Sequence, residues 1–291
     1  MRVNTLVIGA GRSGTTSLCK YMEEHPGICF SVIKELHYFS IEELYQRGLE
    51  YYHSFFPEYK GQSIVASADT YLLMDHAAIL RIKDYNPDMK IVVLLRQPVD
   101  RTYSSYNYSV NYGHHDAYPS FLDSLEHEKQ IEQVKNIVDR NNVGHFYGSL
   151  YHYHLSKWLD AFPRENVLIL TTNQLKNDPT QLHAELCRFL GIEYQGEQQE
   201  EKKLNPNAVP KSKLVERFLL DRDHFLRRWI RALFPAFLKR WIIHSNIVDQ
   251  FHNLNRKESK YLPLSDQERE KAERYFKKDL EKLAKDFDIH F

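Results

Sequence analysis

The sequence of 291 residues is 42% hydrophobic and 27% charged, which is typical of a globular protein long enough to bury a large core. Its 39 basic and 39 acidic residues cancel at neutral pH, which argues against a nucleic-acid partner attracted by overall charge. Any binding site for an anion is therefore expected to be local.

Three sequence features predict a cytoplasmic protein. The N-terminal residues MRVNTLVIGAG lack the charged and apolar regions of a signal peptide. No apolar run reaches the ~18 residues of a membrane span, so no transmembrane segment is expected. The cysteines Cys19, Cys29 and Cys187 cannot all pair and show no C-x-x-C spacing, as expected in a reducing compartment.

Strand and helix patterns alternate along the first two thirds of the chain. Short apolar runs rich in β-branched residues predict strands at 3–8, 28–33, 63–68, 90–96 and 165–171. Amphipathic segments predict helices at 15–25, 41–56, 76–87, 119–138, 149–161 and 179–192. This alternation favours a three-layer α/β/α fold around a mainly parallel sheet.

The remainder of the chain is predicted to be a long loop followed by helices. Residues 194–213 are polar and contain two prolines, which indicates the loop. Segment 224–248 mixes basic and large apolar side chains around a proline, and favours a pair of packed amphipathic helices over a membrane-surface helix. The last helix, 265–287, begins with a capping box formed by Ser265 and Glu268.

The stretch VIGAGRSGTTSL near the N-terminus almost matches the phosphate-binding pattern G-x-x-x-x-G-K-[ST]. Gly9 and Gly14 have the required spacing and Thr16 fills the Ser/Thr position, but Thr15 stands where the lysine belongs. Arg12 supplies a positive charge before the second glycine instead. Because the loop lies between a predicted strand and helix, its N–H groups are placed to bind an anion. A tight turn without a ligand fits the same spacing.

The strand at 90–96 ends in Arg96, not in a carboxylate that would hold Mg²⁺, so triphosphate hydrolysis is not favoured. Ligands of parallel sheets bind at the carboxyl ends of the strands, where both Arg96 and the glycine loop lie. The 15 histidines include no HExxH motif, so no metal site is predicted.

Four stretches, in the expected order, resemble the sulfotransferases that use 3′-phosphoadenosine 5′-phosphosulfate (PAPS). VIGAGRSGTTSL, KELHYF, LLRQPVDRTYSSY and NPNAVPKSKL are similar to motifs of the branch containing heparan sulfate 3-O- and N-sulfotransferases and bacterial relatives. The resemblance implies a P-loop NTPase-like fold and transfer of a sulfuryl group to an acceptor hydroxyl or amine. It also implies a single domain, 1–291, with an α/β core at 1–193 and a nucleotide-covering loop and C-terminal helices at 194–291.

The resemblance assigns the nucleotide to three stretches. The glycine loop would hold the 5′-phosphosulfate, through Gly11, Arg12, Ser13, Gly14, Thr15 and Thr16. Arg12 would stand where heparan-type relatives place a lysine near the bridging oxygen. Arg96 and Ser104 would bind the 3′-phosphate, for which a guanidinium and a hydroxyl are suitable donors. A late basic loop would close over the nucleotide, through Lys211, Ser212 and Lys213. From its charge alone, this loop fits a solvated surface segment equally well.

The stretch KELHYF carries the predicted acid–base chemistry. In a strand-like segment, Glu35 and His37 point to the same side. The stretch resembles NEVHFF of the 3-O-sulfotransferases, whose glutamate is the catalytic base. This implies that Glu35 is the base, that His37 is its neighbour or an acceptor contact, and that Lys34 orients the phosphosulfate or the acceptor. Without the resemblance, a surface Lys–Glu pair beside a packed histidine fits these residues.

Two departures from the relatives concern the acceptor. Ser40 replaces an aspartate that contacts substrate, and SADTYLL (67–73) lacks the lysine of the relatives' EKTPAYF. Asp69 or Tyr71 is then the expected acceptor contact. The acceptor is expected to be a carbohydrate or another small alcohol, and the loss of both residues counts against heparan sulfate itself. A homodimer is compatible with the sequence. A P-loop kinase or hydrolase and a non-catalytic nucleotide- or glycan-binding module are the alternatives.

Overall fold

The computed structural model describes residues 1–112, 120–128, 131, 134, 136–196, 208–210, 256–258 and 262–291. At its centre, five parallel strands form one sheet with the order β2-β3-β1-β4-β5. The strands are β1 (Thr5–Gly9), β2 (Ile28–Phe30), β3 (Ile64–Ala68), β4 (Lys90–Leu95) and β5 (Val167–Thr171). Their continuous apolar runs are buried on both faces, as in other parallel sheets, and the predicted α/β fold is confirmed.

Helices connect these strands. They are α1 (Thr15–Glu24), α2 (Glu42–Tyr45), α3 (Gly48–His53), α4 (His76–Tyr85), α5 (Pro98–Tyr112), α6 (Phe121–His127), α7 (Ile137–Val143), α8 (Tyr151–Ala161), α9 (Thr172–Asn177), α10 (Pro179–Leu190) and α11 (Asp266–Phe287). The predicted helix at 119–138 is wrong in its extent, because α6 ends at His127 and α7 begins at Ile137. Asn136 accepts hydrogen bonds from the first turn of α7 and so starts a new helix.

The helices cover both faces of the sheet, which confirms the three layers. On one face, Val7 of β1 lies in an apolar cluster with Leu18 of α1 and Leu186 of α10. On the other face, Leu6 lies in a cluster with Trp158 of α8. Neighbouring residues of β1 therefore serve opposite layers, because successive side chains of a strand alternate between its faces.

The C-terminal helix α11 packs back onto the core. Its predicted capping box is confirmed: Ser265 Oγ accepts from Glu268 N–H at 3.3 Å, and Glu268 Oε2 accepts from Ser265 N–H at 3.0 Å. Phe276 of α11 is fully buried beside the start of α5. Asp279 accepts hydrogen bonds from main-chain N–H groups in the first turn of α8. The helix thus holds α8, whose N-terminus lies at the same sheet edge as the glycine loop.

Two short strands, β6 (Ala208–Pro210) and β7 (Arg256–Glu258), pair antiparallel. The prediction of helices throughout the chain beyond residue 213 is therefore wrong at β7. Unlike the equally short β2, neither strand lies within a longer apolar run, and their pairing joins distant segments, so the sequence pattern does not reveal them.

Some sequence predictions concern residues that the structure does not describe. Lys211, Ser212, Lys213 and the segment 224–248 lie outside the described residues. Within the described part of the chain, no helix combines the length and apolar character needed to cross a membrane.

Candidate functional site

The glycine loop follows the central strand β1 and leads into α1. Gly9 and Gly14 have φ angles of +144° and +97°, a region that favours glycine. A Cβ atom on Gly9 would lie 3.0 Å from Leu73 Cβ and 3.2 Å from the carbonyl oxygen of Thr70. Because Gly14 directly precedes α1, the first N–H groups of that helix, which lack helical partners, open onto the loop.

Three consecutive carbonyl oxygens of the loop accept hydrogen bonds from side chains behind it. The pairs are Arg101 Nε with Gly11 O (2.9 Å), Arg96 Nη1 with Arg12 O (3.3 Å) and Thr172 Oγ1 with Ser13 O (2.6 Å). In a trans peptide the C=O and N–H groups point in opposite directions. The N–H groups of Arg12 and Gly14, which share peptide units with the bound carbonyls of Gly11 and Ser13, therefore point away from these donors and are placed to bind an anion. The N–H of Ser13 donates instead to the carbonyl oxygen of Ala10 at 3.3 Å.

Three residues predicted to bind the nucleotide meet at this loop. Arg12 Nε donates to Ser104 Oγ at 3.3 Å, and the Arg12 guanidinium lies 4.7 Å from the centre of the Tyr108 ring. Arg12 itself has a φ of +72°, and Arg96 binds its carbonyl oxygen. The structure thus brings Arg12, Arg96 and Ser104 together, while their contacts with PAPS stay a prediction.

Arg101, the second arginine of RQPVDR, is a residue of the site that the sequence did not predict. Its side chain is 2% exposed, and besides Gly11 O it binds the carbonyl oxygen of His145 through Nη1 at 2.9 Å. The available signal was its position in the first turn of a helix that starts at the ligand edge of the sheet. In the sequence that position also suits an exposed charge. Thr172 and Tyr108 lie outside the recognised motifs, so the sequence carries no signal for their place in the site.

The segment with Glu35 and His37 is not a strand. Sheet pairing ends at Phe30, and Glu35 and His37 have φ angles of +56° and +54°, so the strand-like prediction is wrong. The segment is held by tertiary bonds instead, among them Glu35 N–H to the carbonyl oxygen of Ala68 at 2.8 Å. The two side chains still reach one site, because both bind the stretch that follows β3.

The carboxylate of Glu35 is held by Thr70. The N–H group of Thr70 donates to Oε2 and its hydroxyl donates to Oε1, both at 2.8 Å. Burial, followed by the negative charge of Asp69, raises the pKa of Glu35 to about 7, while Lys34 and His37 act in the opposite direction. A carboxyl group with a pKa near neutrality is suited to general acid–base work at physiological pH.

Asp69 is buried and binds His37 twice. Oδ2 accepts from the main-chain N–H of His37 at 2.8 Å, and Oδ1 lies 3.2 Å from His37 Nδ1. Burial alone would raise the pKa of Asp69, but the charge and hydrogen bond of His37, together with hydrogen bonds from Glu35 and the Tyr71 N–H, outweigh it and hold that pKa below its usual range. With a further bond from the Tyr71 N–H to Oδ1, three of the about four acceptor positions of this carboxylate are used, and direct contact between Asp69 and an acceptor stays a prediction. Tyr71, the other expected contact, is partly exposed and stacks on the His37 ring at 4.6 Å.

The remaining predicted residues surround these groups. Lys34 is partly buried between Glu35 and Cys19 of α1 and opposes the effect of burial on both pKa values. In the glycine loop, the side chains of Ser13 and Thr15 are buried and that of Thr16 is exposed. Thr16 is thus the threonine of this loop with a side chain open to a ligand.

Glu35, His37 and Asp69 each offer a nitrogen or oxygen atom within 4.8 Å of the other two. Such a spacing would also suit a cation. Because Thr70 binds both Glu35 oxygens and His37 binds both Asp69 oxygens, we interpret the cluster as a proton-handling network.

Gly14→Ala is expected to lower both the free energy of unfolding and the affinity for 3′-phosphoadenosine 5′-phosphate (PAP), the nucleotide that remains when PAPS loses its sulfuryl group. Alanine at φ +97° is strained, and its Cβ would lie 3.3 Å from Leu175 Cδ2, so we expect a loss of about 1–3 kcal/mol. Gly61→Ala is the matched control, because Gly61 has the same φ of +97° with no atom within 4 Å of a Cβ. Urea denaturation and calorimetry compare the two. Equal losses of stability with unchanged PAP binding would contradict the assignment of the loop.

Comparisons with known proteins agree with this geometry. The family described as "Sulfotransferase domain" matches residues 3–215. Human heparan sulfate glucosamine 3-O-sulfotransferase 6 is 29% identical over 188 residues, which cover 64% of this chain and 52% of that protein. Human bifunctional heparan sulfate N-deacetylase/N-sulfotransferase 3 is 28% identical over 206 residues, or 64% of this chain and 22% of that protein. A sulfotransferase structure from Alicyclobacillus acidocaldarius superimposes with a TM-score of 0.57 at 28% identity, covering 70% of this chain and 87% of that one.

The chain thus spans about half the length of the first of these curated relatives. The family match nevertheless covers most of the chain, and it includes the glycine loop, Glu35, Arg96 and Ser104. The fold of these residues and the family match lead to the same conclusion: the chain belongs to the sulfotransferase family.

Proposed function

We propose that the protein transfers a sulfuryl group from PAPS to a hydroxyl of a carbohydrate or another small alcohol and releases PAP. The observation that carries this proposal is the position of Thr70 between the two halves of the site. Its hydroxyl oxygen would lie 3.4 Å from a Cβ on Gly11 of the glycine loop, and that hydroxyl donates to Glu35. An anion-binding loop and a carboxylate base are therefore separated by a single side chain.

In the proposed reaction, the acceptor oxygen forms a bond to sulfur as the bond from sulfur to the 5′-phosphate oxygen breaks. Glu35 takes the proton of the acceptor hydroxyl, which makes the oxygen a better nucleophile. Negative charge grows on the departing phosphate, where the loop N–H groups and Arg12 would stabilise it. These groups account for the charge and the proton of the step, so the proposal assigns no role to a metal ion.

The acceptor class rests on the relatives. Both curated relatives described above are named for heparan sulfate, which supports a carbohydrate, but each matches this chain over only part of its length. Ser40 in place of the relatives' aspartate, and the absence of their lysine from SADTYLL (67–73), support a different sugar or alcohol. A cytoplasmic location is likewise proposed, with support from three buried cysteines that form no disulfide. The homodimer and the absence of a nucleic-acid partner stay predictions.

PAP binding tests the nucleotide assignment. We expect the purified protein to bind PAP at least about tenfold more tightly than AMP, because a charge-assisted bond to the 3′-phosphate contributes about 1.5–3 kcal/mol. Isothermal calorimetry measures both, and a screen of monosaccharides, oligosaccharides and simple alcohols with labelled PAPS then identifies the acceptor. Equal affinity for PAP and AMP together with Mg²⁺-dependent ATP hydrolysis would support a P-loop kinase or hydrolase instead.

A further inference from the structure

Asp69 holds His37 from a rigid position. Its main-chain N–H donates to the carbonyl oxygen of Val7 in β1 at 3.0 Å, which ties Asp69 to the central strand. Its two carboxylate oxygens face the main-chain N–H and Nδ1 of His37. The N–H of Tyr71 donates to the same Oδ1 at 3.3 Å, while the Tyr71 ring stacks on the imidazole. The imidazole is thus held along one edge and on one face.

These bonds determine which ring nitrogen of His37 carries a proton. An ionised carboxylate only accepts hydrogen bonds, and the pKa of Asp69 lies below its usual range despite burial, because of His37. Nδ1 therefore carries a proton when it bonds to Oδ1. Nε2 is then the nitrogen at which the ring gains or loses a proton.

The same carboxylate acts on Glu35 through its charge. Asp69 and Glu35 place oxygen atoms within 4.8 Å of each other. Repulsion between two neighbouring carboxylates disfavours the doubly ionised state, so Glu35 beside Asp69 is a stronger base than an isolated carboxylate. Lys34 and His37 on the same segment oppose this effect, and Cys19 of α1 also faces Glu35.

We propose that Asp69 is a positioning residue that makes Glu35 and His37 act as one proton-holding pair. It fixes the His37 ring with a proton on Nδ1 and keeps a negative charge beside Glu35. When the acceptor O–H bond breaks and its proton reaches Glu35, the repulsion between the two carboxylates is relieved, which favours the step. This inference rests on the proposed sulfuryl transfer and gives Asp69 a role through its neighbours in place of the direct acceptor contact.

The variant Asp69→Asn tests the proposal with little change of shape. Its amide oxygen can accept from the His37 main-chain N–H, but its NH₂ group then faces Nδ1 and requires a lone pair there. The ring proton moves to Nε2, as in other Asp–His pairs with this substitution. We expect kcat to fall by about 10²-fold, with PAP affinity unchanged. The acidic limb of the kcat/KM profile should move below its wild-type position near pH 7, by part of the shift only, because burial, the larger cause of the raised pKa of Glu35, remains.

Asp75→Asn is the matched control. Asp75 is a buried aspartate, 6% exposed, that lies six residues after Asp69 in the stretch between β3 and α4. This variant should keep the wild-type pH profile. A merely structural role for Asp69 would lower activity without moving the acidic limb, and that result would overturn the proposal.

Nitrogen NMR of the wild-type protein, with labelled histidine, gives a second test that needs neither activity nor a stable variant. We expect the His37 signals to show a proton on Nδ1. Its absence from Nδ1 at neutral pH would overturn the proposal. If the wild-type protein binds PAP but transfers no sulfuryl group, the proposed function fails, and the NMR result still decides the role of Asp69.

Discussion

Replacing Glu35 by glutamine is expected to reduce sulfuryl transfer by about 10²–10⁴-fold, the usual contribution of a general base. Glutamine has nearly the same shape and can still accept one hydrogen bond from Thr70, so the glycine loop and PAP affinity should be unchanged. In the wild-type protein, kcat/KM should rise as the pH increases through about 7, because Glu35 acts only after it loses its proton. Labelled-PAPS transfer assays at several pH values measure both effects.

Glu43→Gln is the control for this experiment. Glu43 is an exposed glutamate in α2, on the chain segment that follows the site, and its substitution should leave the rate and pH profile unchanged. If Glu35→Gln transfers sulfuryl groups at the wild-type rate, Glu35 is not the base. If neither the variant nor the wild-type protein shows transfer while both bind PAP, a non-catalytic nucleotide-binding module is supported.

Arg101→Met is expected to weaken PAP binding by at least about tenfold and to lower the free energy of unfolding by about 1–3 kcal/mol. Methionine fills the buried space of the arginine stem but removes the side-chain donor of the Gly11 carbonyl oxygen and leaves that of His145 with the 3.3 Å bond from Ser149 Oγ. An unbound Gly11 carbonyl is free to rotate toward the phosphate, which it would repel. Calorimetry with PAP and urea denaturation measure the two effects separately.

Two further variants serve as controls for this prediction: Arg164→Met at a distant site, and the conservative Arg101→Lys. Arg164 also donates to a main-chain carbonyl, that of Val167 at 2.6 Å, but it lies at the opposite end of β5 from the site, so PAP binding should be unaffected. Lysine at 101 keeps the charge but lacks the planar fork that reaches two carbonyls, and we expect an intermediate loss. Wild-type PAP affinity in Arg101→Met would show that this side chain does not shape the loop.

Arg96 and Arg101 belong to the same motif, but only the position of Arg96 could be predicted from the sequence. Arg96 follows the most apolar strand, and its position at the ligand edge was predictable, since the end of a strand is a local property. Arg101 lies in the same motif, yet its burial depends on Gly148, where a Cβ would come within 2.8 Å of Arg101 Nη1. That contact joins α5 to a distant turn, and no local pattern records it.

The antiparallel pairing of β6 and β7 likewise depends on contacts between distant segments and could not be predicted from local patterns. Strands β1, β3, β4 and β5 have five or six residues, enough to identify each from its apolar run, and the three-residue β2 lies within the longer apolar stretch 28–33. The capping box at Ser265 marks the start of α11. The three-residue strands at Ala208–Pro210 and Arg256–Glu258 acquire their conformation from each other across a long stretch of chain.

By itself, the sequence determined the alternating α/β order, the strand–loop–helix context of the glycine loop, and Glu35, Arg12, Arg96 and Ser104 as site candidates. These follow from local periodicity, glycine spacing and motif resemblance. Only the tertiary structure decided that Glu35 and His37 lie in left-handed conformations, that Thr70 and Asp69 bind them, and that the loop carbonyls are bound from behind. The physical reason is that each of these features is a bond between separate segments, and its energy depends on packing and burial that exist only in the folded chain.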